Sequence, residues 1–131
     1  MINSRTKGRA GEQDVAKILR EELGIEVKRN WAEQAHHGGA DLVGVDGWSI
    51  EVKRSKKYSK KWWEQSLNQS LTASEHNDEY IAPVLIYRLD RQEWKVEILA
   101  SEVIMELEHE DDIITMSLTA WIKIVRERMN G

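Results

Sequence analysis

The reading of this chain turns on one stretch, Gly39-Ala40-Asp41-Leu42-Val43-Gly44-Val45-Asp46-Gly47-Trp48-Ser49-Ile50-Glu51-Val52-Lys53. Residues 40–45 and 48–53 read as two strands, and Asp46-Gly47 between them is a strong hairpin signal. Strand side chains alternate, so Glu51 and Lys53 share a face and Val52 takes the other. Which face Asp41 joins depends on the turn. A two-residue loop pairs Val45 with Trp48 and sets Asp41 opposite Val52, away from Glu51. A three-residue loop, Val45-Asp46-Gly47, pairs Gly44 with Trp48 and Asp41 with Glu51. That bulged form needs a left-handed residue at its third position, and Gly47 stands there. Only the bulged turn brings two carboxylates and one ammonium together.

Such a grouping suits a particular chemistry. Two close carboxylates repel unless a cation sits between them. With oxygen ligands alone the expected ion is Mg²⁺ or Mn²⁺. It would polarise a phosphate oxygen and acidify a bound water, while Lys53 stabilises charge developing on phosphorus. The competing structural explanation is a salt bridge on a half-exposed strand, a common fate of a Glu-x-Lys triplet. Glu12 adds weight. Positions 12, 15, 16, 19 and 23 fall on one side of a first helix, so Glu12 heads the apolar stripe and needs a partner there. A role beside the N-terminal end of the helix dipole is the plainer alternative.

Working outward, residues 9–23 form a helix stopped by Gly24, and 25–31 a strand. Residues 32–39 are a loop holding His36 and His37, 54–59 a basic loop, and 60–73 a helix with Trp63, Leu67 and Leu71 on its stripe. The continuous apolar run at 83–89 predicts a strand buried on both faces. In 93–99 the alternation points Trp94, Val96 and Ile98 inward and Lys95 and Glu97 outward. A short helix over 101–108, a strand over 113–118 and a last helix follow. Ser117 or Thr119 caps that helix, and Trp121, Ile124, Val125 and Met129 face inward. This order predicts an α/β (α+β) sandwich with a mixed sheet.

The chain has 131 residues, which fits a single domain over 1–131. It has no cysteine, which excludes disulfides, Cys-based zinc sites and thiol nucleophiles. The longest apolar run, 80–87, is far short of the ~20 residues of a membrane helix. The first nine residues lack the apolar core of a secretory signal. An intracellular, cytoplasmic protein with no membrane partner is the expectation. The net charge is −4, but residues 1–61 carry 13 basic and 9 acidic groups, and the remainder 6 basic and 14 acidic. Phosphates sense the local field, so the basic half is the one to search. Lys53, Arg54, Lys56, Lys57, Lys60 and Lys61 form one basic run, and Arg5, Lys7 and Arg9 another, both flanking the acidic grouping. Solvated loops are the usual fate of such runs; beside a metal site they favour DNA. The acids at 106, 108 and 110–112 read as a face turned away from it.

Gly8-x-x-x-Glu12, then Ala40-Asp41, then Glu51-Val52-Lys53 resembles the PD-(D/E)xK nuclease superfamily, and within it the Holliday junction resolvases of archaea and phages. The 83–88 strand followed by Trp94 is similar to phage members. The resemblance implies a restriction-endonuclease-like mixed sheet flanked by helices. It implies Asp41 and Glu51 as metal ligands with the Val52 carbonyl as a third, Lys53 as the catalytic lysine and Glu12 as a helix-borne acid near the metal. It further implies Mg²⁺ (or Mn²⁺), cleavage of four-way DNA junctions and a homodimer, in a host cytoplasm if phage-encoded. Arg5, Lys7, Arg9, Arg54, Lys56, Lys57 and Lys60 are the DNA-binding candidates. Members often carry a Gln on the second helix near the metal, so Gln65 and Gln69 are candidates, with ordinary helix surface as the alternative. Trp62 stacks on a base, lies at a dimer interface or is simply a part-covered surface residue. The chain departs from the pattern in having Ala40 for Pro, and His36 and His37 where archaeal members carry a loop serine; His37 is the secondary candidate there. A different nuclease of the superfamily, or a DNA-binding module without catalysis, stands as the alternative.

Overall fold

Spacing of Val15, Ala16 and Leu19 gives the first helix, α1 (Ser4–Leu23), a fully buried stripe. It starts earlier than the apolar pattern, because its first turns carry polar residues that need no core. Gly24, at φ 66°, ends it in the left-handed region, with its N–H donating to the Arg20 carbonyl at 3.0 Å. The computed structural model describes residues 4–30, 39–105 and 112–131, with side chains from Thr6 onward.

After α1 come β1 (Lys28–Arg29), β2 (Leu42–Val43), β3 (Trp48–Ser55), α2 (Lys61–Asn77), β4 (Ala82–Leu89) and β5 (Lys95–Leu99). A 3₁₀ turn (Ala100–Glu102), β6 (Ile113–Ser117) and α3 (Leu118–Asn130) complete the described elements. The strands form one six-stranded sheet in chain order, β1-β2-β3-β4-β5-β6. Neighbours are antiparallel except β3 and β4, which run parallel and are joined through α2. This is the mixed α/β sheet that the element order predicts.

The two faces are covered differently. Trp48, Ile50, Val52, Val84, Ile86, Val96 and Ile98 pack with α1 and α3. On the other face Trp63 of α2 rests on Leu85 and Tyr87. β4 therefore contributes to both cores, as its unbroken apolar run requires. Ser117 caps α3, its hydroxyl accepting from the Ala120 N–H at 3.1 Å.

Several expectations are corrected. The 25–31 strand shrinks to Lys28–Arg29, and β3 continues to Ser55, so the basic loop begins at Lys56. On α2, Leu71 is 61% exposed, and the small Ser66 and Ser70 are buried in its place, letting the helix lie close to the sheet. On α3, Met129 is half-exposed and Ile122 is buried, a shift of the stripe toward the helix start. Glu97 faces in because two tyrosines receive it, as described below. The expected 101–108 helix is a single 3₁₀ turn, its later part lying outside the described residues. Of the acidic patch only Asp112 is described, and it is exposed. Among the described residues no helix is long and apolar enough to cross a membrane.

Candidate active site

The hairpin between β2 and β3 takes the three-residue form. Leu42 pairs with Ile50, which sets Asp41 opposite Glu51 and leaves Val45-Asp46-Gly47 as the loop. Gly47 has φ 86°, the left-handed geometry the bulge needs. The Trp48 N–H closes the loop onto the Val45 carbonyl at 3.3 Å.

Asp41 is held from three sides. Its N–H donates to the Ile50 carbonyl at 2.8 Å, its carbonyl accepts from the Asn30 N–H at 3.0 Å, and its Oδ2 accepts from the Val52 N–H at 2.7 Å. The Asn30 amide also donates to the Ala40 carbonyl at 2.9 Å, pinning the approach to the aspartate. Glu51 lies on the α2 side of β3, only 2% exposed, against 7% for Asp41. Its Oε1 is 3.1 Å from Lys53 Nζ, while its Oε2 is buried with no hydrogen-bond partner among the described residues.

Burial is the main cause of the site's electrostatics. Burial first, then the neighbouring Glu51 carboxylate, push Asp41 up to about 8, against the Val52 N–H. Glu12 also raises Asp41, which places that helix-borne acid within electrostatic reach. Burial likewise raises Glu51, opposed by Lys53, Gln69 and Asp41. Burial and mutual repulsion thus disfavour carrying a negative charge on both members of the pair. Two buried acids with an orphaned oxygen form a set of hard oxygen donors that a divalent cation satisfies.

Other expected residues fall less simply. Glu12 pairs with Arg29, whose Nε lies 2.7 Å from its Oε1. The sequence showed no signal for that pairing, because β1 is too short to display a pattern. No cluster of three or more acidic or histidine side chains able to hold a metal occurs among the described residues, so the donor set there is the Asp41–Glu51 pair with backbone. Of the two glutamines, Gln69 reaches Glu51, whereas Gln65 is exposed. His36 and His37 lie outside the described residues, as does the Arg5 side chain.

Trp62 is part-covered. Its ring packs 5.2 Å from Tyr58 and 5.9 Å from Tyr87. Tyr58 donates its hydroxyl to Glu97 Oε1 at 2.9 Å, and Tyr87 also bonds Glu97, which explains the burial of that acid. This aromatic group moors the basic loop. Lys56, Lys57, Lys60 and Arg9 are exposed, Arg54 is half-buried, and Lys7 pairs with Asp90 at 2.6 Å.

A family model described as "Phage putative PDDEXK endonuclease" matches residues 3–129. The chain belongs to that family. Members of the PD-(D/E)XK class are nucleases that generally use divalent metals. Among solved structures, one that is similar is Archaeoglobus fulgidus Hjc, a Holliday junction resolvase from an archaeal hyperthermophile. It is 20% identical over 88% of this chain and 87% of that one, with a TM-score of 0.49. No curated protein sequence matches the chain.

Proposed function

We propose that this PD-(D/E)XK endonuclease cuts branched DNA, as a Holliday junction resolvase acting on four-way junctions. The observation that carries the reading is the pairing of Asp41 with Glu51 on one face, both buried, beside Lys53 and with Glu51 Oε2 lacking a partner among the described residues. Asp41, Glu51 and the Val52 carbonyl would hold Mg²⁺, with Mn²⁺ as a substitute. When bound, the ion supplies Lewis acidity toward a phosphate oxygen and a water of lowered pKa.

The chain's own groups do the rest. The Val52 N–H fixes one Asp41 oxygen and so directs the other. Glu51 holds the Lys53 ammonium in place, where it stabilises the charge gathering on phosphorus as water adds and the P–O bond breaks. Gln69 orients Glu51, and Glu12, steadied by Arg29, adds negative field near Asp41. Lys7, Arg9, Arg54, Lys56, Lys57 and Lys60, with Arg5, bind the phosphate backbone. A four-way junction requires two symmetric cuts, which a two-fold homodimer provides. The substrate would be met in the cytoplasm of a phage's host.

The test is cleavage of a synthetic four-way junction with and without Mg²⁺, beside flap, single-stranded and linear duplex DNA. Asp41→Ala, Glu51→Ala and Lys53→Ala are each expected to lose about 10²–10³-fold in cutting while junction binding persists. Wild-type cutting by any of the three contradicts the assignment. Preference for another substrate in the panel keeps the nuclease and rejects the resolvase.

A further inference from the structure

At the end of β3 the chain gathers cations from two elements around one acid. Asp90 follows β4, and its N–H donates to the Ser55 carbonyl at 3.1 Å, which sets it beside the start of the basic loop. Lys7, from the second turn of α1, reaches across to it, Nζ to Oδ1 at 2.6 Å. Arg54 approaches the same helix one turn later. A Cβ added to Gly11 would lie 3.0 Å from Arg54 Cγ, so the absence of a side chain at Gly11 lets the arginine stem lie against α1. Arg54 Nε is buried and has no hydrogen-bond partner among the described residues. Lys56 stands just beyond, and Lys7, Arg54 and Lys56 all hold the Asp90 carboxyl below its ordinary value. Three cations against one acid leave an excess of positive charge, with a donor still unused.

We propose that Lys7, Arg54 and Lys56 form a phosphodiester-binding pocket in which Asp90 stands in for the phosphate and is displaced when DNA binds. This rests on the nuclease reading and adds to it a role for Asp90. Ser55 lies two residues past Lys53, about 7 Å along the strand. Arg54, between them, takes the α1 face of β3 rather than the face of Glu51 and Lys53, so the pocket takes a phosphate other than the one that is cut. An acid in that position competes with the ligand, weakening non-specific binding. Only a substrate that also satisfies the rest of the surface overcomes it.

The test compares wild type with Asp90→Asn, and with Asp90→Ser as a second replacement, in EDTA so that DNA stays intact. Fluorescence anisotropy of a labelled four-way junction and of linear duplex is read across a salt series. Both variants are expected to bind linear duplex about two- to five-fold tighter at low salt. The slope of log K against log salt should steepen by about one, since one more cation is available to phosphate. Lys7→Ala in the Asp90→Asn background should abolish that gain. Unchanged or weaker duplex binding in both variants, where wild type binds DNA, overturns the proposal, since Asp90 then merely braces Lys7. A second arm measures the melting temperature with inorganic pyrophosphate. Stabilisation that grows in Asp90→Asn and vanishes with Lys7→Ala upholds the anion pocket even if no DNA binds, a result that would instead sink the nuclease reading. Neither DNA nor pyrophosphate responding to the substitutions sinks the pocket.

Discussion

Replacing Asp41 by Asn should make the metal-free protein more stable, and more so at high pH. In the unfolded chain Asp41 titrates near 3.8, whereas in the fold burial and Glu51 push it up to about 8. Below the lower value both states carry the proton and the site costs nothing. Between the two values the folded state binds more protons than the unfolded one, so stability falls as pH rises, and the loss is complete above about 8. The span from 3.8 to about 8 sets a ceiling of about 6 kcal/mol. Asn keeps an oxygen for the Val52 N–H and removes one of the two competing acids. Glu51 remains buried, so part of the cost stays, and a gain of about 2 kcal/mol is expected at pH 8. For a domain of this length that is a rise in Tm of about 6–10 °C. Thermal unfolding followed by circular dichroism in EDTA, at steps from pH 4 to pH 8, reads the difference directly. The two proteins should converge near pH 4 and diverge above it. Added Mg²⁺ should raise the Tm of the wild type and leave Asp41→Asn nearly unmoved. A variant no more stable than wild type at pH 8 would falsify the claim that the acids are strained by proximity and burial.

Two further substitutions probe how the site is held. Gly44→Ala places a Cβ 2.1 Å from the Glu26 carbonyl oxygen on a backbone at φ 120°, so it should destabilise by about 2 kcal/mol or more, read by urea unfolding. Equal stability to wild type there means that the backbones of Glu26 and Gly44 are less closely apposed. Arg29→Met leaves Glu12 with its cation removed in a part-buried position, and should destabilise by about 1–3 kcal/mol; restoration by Arg29→Lys would show that charge rather than stem packing is responsible.

Much of this architecture is legible in the sequence, for identifiable reasons. The apolar run at 83–89 and the stripe of α1 are strong periodic signals, and both elements form, α1 beginning five residues earlier than its stripe predicts. The hairpin register was open between two loop lengths, and Gly47 provides the left-handed residue of the one that forms. Other features depend on contacts between distant residues, which periodicity does not encode. Glu97 looks like an outward strand residue until Tyr58, 39 positions earlier, folds over it. Arg29 meets Glu12 from a two-residue strand. Gln65 and Gln69 are separated by which face α2 turns to the sheet, and that face carries Trp63, Ser66 and Ser70 rather than Leu71. Lys7 and Asp90 lie 83 positions apart, so their meeting depends on the assembled fold.

The mooring of Tyr58 on Glu97 has an evolutionary corollary. The segment carrying Lys56, Lys57 and Lys60 hangs from an aromatic peg outside the hairpin that holds Asp41 and Glu51. Its position does not depend on the contacts that keep the acid pair in register. Under the proposed function, the shape of nucleic acid that is gripped could change without disturbing the pair that cuts.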